Sequence, residues 1–257
     1  MKVSNEVIAV LDAGTCKENM FTMVGQLDRK LYVAVDKTLK AAGGKWNRAA
    51  GSHLFDCDAN DAVSDIILTG KVMDAKRDFD FFETPPKIVE MILDYAGEIE
   101  DGMLVLEPSA GSGAISDAIA NCGKDLDIDV VEIREEAVQK LRETDLYACV
   151  LQSDFLSIEA REHETEILYD RILMNPPFGR QMDIHHVNHA MKMLKPGGVL
   201  VSIMSAGVLF RNNSLTVDFR DMVEENAGTI ERLPPASFKS SGTNVETVIV
   251  KITKAKS

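Results

Sequence analysis

The stretch that decides the fold is MLVLEPSAGSGAISDAIAN, residues 103–121. It reads as a short apolar strand over 103–107, a turn containing Gly111 and Gly113, and a helix over 112–121. The two glycines allow a tight turn and let the backbone approach a ligand closely. We therefore predict the first strand–helix unit of an α/β sheet here.

The same alternation continues to the end of the chain. Further strands are predicted over 128–133, 148–151, 171–174, 199–203, 229–233 and 245–252. Helices are predicted from Pro85-Pro86, over 135–142, before Leu194 and over 219–225. Strands separated by helices of this length are typical of a parallel sheet, which binds ligands at the carboxyl ends of its strands. The expected fold is an α/β, doubly wound, mainly parallel seven-stranded sheet of the Rossmann-like type.

A smaller module precedes this sheet. Leu31, Val35 and Leu39 form one apolar helix face that Gly43-Gly44 should end. Two short strands around the turn at 47–52 and a helix over 58–69 follow, which predicts an α-β-β-α unit. The polar segment 70–80 is the linker candidate, so we expect domains at 1–78 and 79–257.

Charge separates the two parts of the chain. The 257 residues are 45% hydrophobic and 27% charged, as in globular proteins, and the net charge of −13 argues against a histone-like or polybasic mode of binding to nucleic acid. The range 29–53, however, holds six bases against the single acid Asp36. This stretch and Trp46 make the N-terminal module a candidate for contact with a DNA backbone. The alternative is a solvated helix face with a core tryptophan.

Cysteine spacing and hydropathy bear on the compartment. The four cysteines form no C-x-x-C pair, so neither a zinc site nor a disulfide framework is predicted, and a reducing cytoplasm fits best. No apolar run reaches the roughly 18 residues of a membrane span. We expect a cytoplasmic protein without a membrane partner or metal, and the pattern leaves its oligomeric state open.

The turn after residue 107 carries the first sign of a ligand. Ser116 replaces the third glycine of a dinucleotide fingerprint, which disfavours NAD. Glu107 suits an ammonium group, and Glu132, at the end of the next strand, can accept ribose hydroxyls. Asp154 and Phe155 follow the third strand and could contact an adenine. The alternatives are a generic turn without a cofactor, an N-cap aspartate and a core phenylalanine.

A second loop indicates the chemistry. The predicted strand 171–174 runs into Asn175-Pro176-Pro177-Phe178. Two prolines stiffen this loop and remove two N–H donors, so its carbonyl oxygens can accept hydrogen bonds from an NH2 group. Bonds to Asn175 and to the Pro176 carbonyl would orient the lone pair of an aromatic amine towards an electrophilic methyl group, and Phe178 offers a stacking face. The alternative is a purely structural Pro-Pro turn.

Together these motifs resemble the S-adenosylmethionine-dependent amino-group methyltransferases, and among them the N6-adenine DNA methyltransferases. The resemblance spans roughly residues 80–257 and rests on motifs in the same order, including an F-x-T-P element at 82–85. It implies S-adenosylmethionine as cofactor and a site that includes the tetrapeptide 175–178. The cofactor-binding residues it implies are Phe82, Thr84, Pro85, Glu107, Pro108, Ala110, Gly111, Gly113, Glu132, Ile133, Asp154, Phe155 and Asn175.

The resemblance also implies a substrate, with alternatives. Asparagine at 175 favours adenine N6 in DNA, although the family uses the same residue on glutamine in release factors and on guanine N2 in ribosomal RNA. An RNA methyltransferase and a non-catalytic DNA-binding decoy are the remaining alternatives. Related enzymes usually carry a long target-recognition domain after the catalytic part, whereas here the sheet extends to Lys251. We therefore expect DNA sequence to be read elsewhere or loosely.

Three histidines lie just past the tetrapeptide. His185 and His189 share a helix face at metal-pair spacing, but no third ligand accompanies them. A capped or surface helix is the leading interpretation for His185, His186 and His189, and substrate contact is the alternative.

Overall fold

The computed structural model describes residues 2–56, 58–72, 83–158, 168–241 and 245–256. By its internal contacts the chain divides into two compact units. The first comprises Met1–Asp80 with Gly179–Gln181, and the second comprises Phe81–Phe178 with Met182–Ser257.

The second unit is built on one seven-stranded sheet. The strands are β5 (Leu104–Glu107), β6 (Asp127–Glu132), β7 (Cys149–Gln152), β8 (Tyr169–Met174), β9 (Leu194–Ser205), β10 (Thr229–Arg232) and β11 (Thr247–Thr253). Their order in the sheet is β10-β11-β9-β8-β5-β6-β7. Strands β5 to β9 pair in parallel, whereas β11 runs antiparallel to both β9 and β10.

Five helices within the described residues cover both faces of this sheet. They are α4 (Pro86–Ala96), α5 (Ala114–Ala120), α6 (Glu135–Glu143), α7 (Met182–Met193) and α8 (Ser214–Glu225). Because successive strand residues point to opposite faces, Val105 belongs to the core under α4, α5 and α6, while Leu106 belongs to the core under α7 and α8. The doubly wound α/β fold predicted from the alternating pattern is confirmed.

The first unit contains more elements than the sequence pattern predicts. Its elements are α1 (Asn5–Asp12), β1 (Thr15–Lys17), β2 (Met20–Thr22), α2 (Arg29–Ala41), β3 (Lys45–Asn47), β4 (Ser52–Leu54) and α3 (Ala59–Thr69). The four strands form an antiparallel sheet in the order β1-β2-β4-β3. The α-β-β-α prediction is therefore incomplete, because α1 and the hairpin β1–β2 precede the elements it names.

The missed hairpin is too short to show a period. β1 and β2 have three residues each, and Phe21 is the one fully buried side chain between them. Phe21 packs in a core with Leu11, Val35, Leu39 and Phe55, so tertiary packing decides this element.

The ends of one helix and one strand also differ from the prediction. The predicted helix at Ser112 begins instead at Ala114, because Gly113 has a φ of 88° and serves as its N-cap. β9 is longer than predicted, since it includes the residues from Leu194 onward. Part of the predicted linker and Phe82 lie outside the described residues.

Candidate active site

Two loops flank the point at which the strand order of the large sheet reverses. β5 pairs with β6 on one side and with β8 on the other. The chain builds outward from β5 in both directions, and ligands of open α/β sheets bind at the carboxyl ends of strands beside such a point. The loop at 108–113 follows β5 and the tetrapeptide at 175–178 follows β8, so both predicted motifs lie at this edge.

The backbone of the β5 loop needs glycine. Gly111 has a φ of 59° and Gly113 a φ of 88°, both in the left-handed region. A Cβ on Gly113 would lie 2.9 Å from Leu141 Cδ2 and 3.0 Å from Tyr147 Oη. The turn thus packs closely against its surroundings at Gly113.

Glu132, the last residue of β6, organises this loop. One carboxylate oxygen, Oε2, accepts a hydrogen bond of 2.7 Å from the Gly111 N–H. The other, Oε1, accepts from the N–H and the Nε of Arg134, both at 2.9 Å. The carboxylate is 6% exposed and so links the two loops that follow β5 and β6. Its predicted contact with ribose hydroxyls stays a prediction.

Glu107, the last residue of β5, is buried more completely, with 2% of its surface exposed. Its Oε2 accepts a 2.8 Å hydrogen bond from the N–H of Ser116 in α5. Burial raises the pKa of Glu107 to about 8, and the nearby charges of Asp117 and Glu132 act in the same direction against the Ser116 hydrogen bonds. At neutral pH this carboxyl is mostly protonated, and a cation placed beside it would favour its ionised form.

Asp154 and Phe155 have structural partners of their own. Asp154 Oδ1 accepts from the N–H of Leu156 at 3.0 Å and caps a 3-10 turn at Phe155–Ser157. The Phe155 ring is 3% exposed and packs against His186 and His189, with centroid separations of 5.5 and 4.9 Å. These are the roles of the structural alternative, and contact of either residue with adenine stays a prediction.

The tetrapeptide loop is anchored through its asparagine. Asn175 Nδ2 donates a 3.1 Å hydrogen bond to Thr84 Oγ1. This bond sets the orientation of the amide and directs Nδ2, rather than Oδ1, at Thr84. The Phe178 ring is 8% exposed and lies edge-on to Phe238 at 6.3 Å, so most of its surface belongs to the core.

The segment that carries Thr84 binds other parts of the same edge. Glu83 Oε1 accepts from Ser112 Oγ of the β5 loop at 3.4 Å, and the Glu83 carbonyl accepts from Ser241 Oγ at 2.6 Å. Residues 83 and 84 therefore connect the β5 loop, the tetrapeptide and a turn before β11. Sequence reasoning associated this element with the cofactor but did not find these bonds, which join residues far apart in the chain.

The three histidines have three different environments. His185 is exposed, whereas His186 is 5% exposed and its Nδ1 lies 3.2 Å from Ser109 Oγ of the β5 loop. Burial lowers the pKa of His186 to about 4, so its ring is neutral at physiological pH. His189 Nε2 lies 2.8 Å from the Ile158 carbonyl. Over the described ranges, no group of three or more His, Cys, Asp or Glu is arranged to hold a metal ion.

The remaining predicted residues lie around the same edge. Pro85 is the N-cap of α4. Pro108 and Ala110 are buried in the β5 loop, and Ile133 is 40% exposed immediately after Glu132. Pro176 is buried and Pro177 is half-buried in the tetrapeptide. Their contacts with a cofactor or substrate stay predictions.

The acidic side chains at this edge suit a ligand with cationic and hydroxyl groups. Acids stand at the carboxyl ends of three adjacent strands: Glu107 on β5, Glu132 on β6 and Asp154 just after β7. Two of the three are almost fully buried. A carboxyl group can accept hydrogen bonds from hydroxyl groups, and a cation beside it favours its ionised form, whereas an ionised carboxylate repels the phosphates of a dinucleotide. The residues present therefore fit a cationic, ribose-bearing cofactor.

Comparisons with known proteins agree with this geometry. Residues 97–227, half of the chain, match the family model described as methyltransferase small domain. A Listeria monocytogenes protein assigned as a class I S-adenosylmethionine-dependent methyltransferase has a similar structure, with a TM-score of 0.55, 18% identity and coverage of 76% of this chain and 67% of that one. A Pyrococcus horikoshii protein assigned as an RNA methyltransferase is similar at a TM-score of 0.50 and 22% identity, over 68% of this chain and 87% of the other.

Proposed function

Since this chain belongs to the methyltransferase small domain family, we propose that it methylates the exocyclic N6 amine of adenine in DNA. The family and the class I fold imply S-adenosylmethionine as methyl donor. When bound, this cofactor supplies an electrophilic methyl group on a sulfonium centre. The observation that carries the proposal is the position of Asn175-Pro176-Pro177-Phe178, at the carboxyl end of β8 and across the switch point from the β5 loop.

The acids at the neighbouring strand ends are the groups that would hold the cofactor. Glu132 would accept the ribose hydroxyls while it orders Gly111. Glu107 would face the cationic end, where its carboxyl can ionise. The glycine turn lets backbone and ligand approach each other without a side chain between them.

The tetrapeptide would bind the amine that is methylated. Because Asn175 Nδ2 is engaged by Thr84, the amide oxygen is the atom that accepts an N–H of the substrate. The Pro176 carbonyl would accept the second N–H. These two bonds pull the amine out of conjugation with its ring, so its lone pair becomes available for attack. The alkylated nitrogen is acidic and releases its proton to water, so no strongly basic side chain is needed.

Adenine in a duplex is stacked and paired, so the target base would have to leave the helix to reach this loop. Phe178 is our candidate for contact with the flipped base. The Phe178 ring packs edge-on against Phe238. This contact would hold the Phe178 ring in place while a planar base stacks on its exposed part.

Labelled methyl transfer to unmethylated DNA, bulk RNA and protein, offered in parallel, tests the substrate class. We expect label in DNA and N6-methyladenine on nucleoside mass spectrometry. Label found only in RNA or protein would contradict the DNA assignment and leave the methyltransferase assignment intact.

Substitution of Asn175 tests the site. Asn175→Ala removes the oxygen that orients the amine, and the loss of one such preorganised hydrogen bond lowers kcat by about 100-fold or more. Cofactor affinity, measured by calorimetry, should stay within a few-fold of the wild type. Asn121→Ala, at the end of α5, is the matched control. Activity of the Asn175 variant within a few-fold of the control would exclude the proposed role.

A further inference from the structure

Helix α2 of the first unit carries a concentrated positive face. At 100° per residue, its bases Arg29, Lys30, Lys37 and Lys40 fall within an arc of about 100°. All four are exposed, and Val33, 56% exposed, lies among them. The opposite face of the helix is buried through Val35, Thr38 and Leu39. The basic face is thus an outward surface of a well-packed element.

Part of the positive charge on this face is not paired with an acid, although Asp28, the N-cap of α2, directly precedes Arg29. Asp36, the one acid within α2, accepts from Lys40 Nζ at 2.8 Å and lies 3.0 Å from His53 Nε2. The structure gives Lys45 an ion pair with Asp56. Between described residues it shows no ion pair for Arg29, Lys30 or Lys37. Three positive charges are therefore available to an external anion.

An exposed aromatic ring adjoins this charge. Trp46 lies on β3, an edge strand of the four-stranded sheet, and is 41% exposed. Its ring meets the ring of His53 edge-on at a centroid distance of 5.1 Å. His53 is fully buried and bonded to Asp36 of α2, so the chain of contacts Trp46–His53–Asp36–Lys40 connects the aromatic ring to the basic face.

The turn after β3 presents one more base. Asn47 Oδ1 accepts from the N–H groups of Ala49 and Ala50, both at 3.0 Å, which orders the turn between β3 and β4. Arg48 is exposed within that turn, two residues from Trp46.

We propose that Arg29, Lys30, Lys37, Arg48 and Trp46 form a binding surface for a nucleic-acid strand, with the bases on its phosphates and Trp46 stacked on one of its nucleobases. Proteins that bind single-stranded nucleic acid without sequence preference combine several cations, which contact phosphates, with aromatic rings, which stack on bases. This surface has both features. An acidic peptide would satisfy the cations but would not use the flat face of Trp46. The proposal concerns this unit alone and does not depend on which group the enzyme methylates.

The chain has one tryptophan and four tyrosines, so tryptophan emission, excited at a wavelength that tyrosine does not absorb, reports on Trp46 alone. The full chain is titrated with a 20-mer of deoxythymidine, which lacks adenine and so bypasses the proposed methylation pocket. We expect Trp46 fluorescence to be quenched, and the affinity to fall steeply with salt. A parallel titration with oligouridine distinguishes a DNA strand from an RNA strand as the tighter ligand.

Paired charge reversals provide the matched control. Lys30→Glu with Lys37→Glu should weaken binding about tenfold or more at low salt and reduce the slope of log K against log salt by about 1.4. Lys124→Glu with Lys140→Glu changes the net charge of the chain by the same amount on exposed positions of the second unit and should leave binding near the wild-type value. If both double variants bound the oligonucleotide equally weakly, overall charge alone would explain the loss of affinity, and the proposal would be overturned.

Trp46 is tested with a labelled oligonucleotide and fluorescence anisotropy. Trp46→Phe retains a stacking face and should bind within a few-fold of the wild type, whereas Trp46→Ala should bind several-fold more weakly. Circular dichroism checks that both variants are folded. Unchanged affinity in the alanine variant, or no quenching of the wild type, would contradict the proposal. Asn175→Ala should bind the oligonucleotide normally, so that failure of the proposed methylation and failure of this surface are distinguishable.

Discussion

At the scale of single residues, two glutamates at neighbouring strand ends behave differently because their surroundings differ. Glu132 accepts hydrogen bonds from three N–H groups and so joins the loops after β5 and β6. Glu107 accepts a hydrogen bond from the Ser116 N–H and is 2% exposed, and this burial raises its pKa to about 8. The same residue type thus links two loops at one strand end and has a strongly raised pKa at the next.

We predict that the raised pKa of Glu107 makes stability depend on pH. Because this pKa is 4.5 in an ordinary glutamate and about 8 in the folded chain, the contribution of Glu107 to stability is fully present below pH 4.5 and is lost as the pH rises through 8. Glu107→Gln keeps an oxygen for Ser116 but cannot ionise. The free energy of unfolding of this variant should therefore rise relative to that of the wild type between about pH 5 and pH 8, by up to about 1.4 kcal/mol per pH unit, and the difference should change little above pH 8.

Urea unfolding at several pH values, followed by circular dichroism, measures this gain. Glu136→Gln, on the exposed first turn of α6, is the control and should parallel the wild type. Parallel curves for Glu107→Gln as well would show that Glu107 does not carry the pH dependence.

At the scale of elements, the site depends on bonds between loops and helices that are distant in sequence. The β5 loop is bonded to α7 through Ser109 and His186, which are 77 positions apart. The ring of His186 also packs on Phe155 after β7. One neutral side chain therefore fixes the spacing between three elements at the carboxyl edge of the sheet.

We predict that His186 positions the β5 loop for cofactor binding. His186→Asn places a polar atom near the position of Nδ1, whereas His186→Phe keeps the ring and loses the bond to Ser109. Because a hydrogen bond of this kind contributes about 0.5–1.5 kcal/mol, the phenylalanine variant should raise the KM for S-adenosylmethionine by about 2- to 12-fold. The kcat should change less, and the asparagine variant should recover most of the affinity.

The protonation of His186 offers a second readout of the same substitution. Its pKa in the folded chain is lowered from 6.5 to about 4. The unfolded chain binds the proton more readily between these values, so this histidine makes the wild type lose stability as the pH falls from 6.5 to 4. His186→Phe should lose less over that interval, and His185→Phe, at an exposed position, should follow the wild type. If His186→Phe raised the KM for S-adenosylmethionine but left the pH dependence of stability unchanged, His186 would affect cofactor binding through packing alone.

At the scale of the whole molecule, the distribution of charge bears on the binding of nucleic acid, and the cofactor bears on the free energy of unfolding. Residues 81–257 hold 17 bases and 29 acids, so the proposed nucleic-acid substrate would approach this part of the chain against a net negative charge. Local clusters of cations would then decide where it docks. Over the described residues, no helix is both long and apolar enough to cross a membrane.

We predict that S-adenosylmethionine stabilises the folded chain through Glu132. At 100 times its Kd, a ligand that binds only the folded state adds about 2.7 kcal/mol to the free energy of unfolding. Glu132→Ala removes both the proposed ribose contact and the bond to Gly111, so the cofactor should add little to this variant. Chemical unfolding with and without the cofactor gives the values, and Glu143→Ala, an exposed residue of α6, should respond as the wild type does. Full stabilisation of Glu132→Ala would exclude this carboxylate from the cofactor site.

The order of strands and helices in the large unit can be read from the sequence, because short apolar runs of strand length alternate there with segments of helix length. The sequence also determined which loops are chemically unusual, since glycines, paired prolines and strand-end acids are visible as residues. The parallel sheet then follows, because strands joined by helices pair in that direction. By contrast, β1 and β2 have three residues each and show no period, so only packing around Phe21 reveals them.

Only the tertiary structure decided what the site residues touch. Thr84 and Asn175 are 91 positions apart, and no local pattern could pair them. The raised pKa of Glu107 and the neutral state of His186 depend on burial, which is a property of the folded core rather than of residue type. Asp154 and Phe155 likewise have local roles, as a cap and as core, that the sequence left open. Sequence patterns act over a few residues, whereas desolvation and long-range hydrogen bonds exist only once distant segments have packed together.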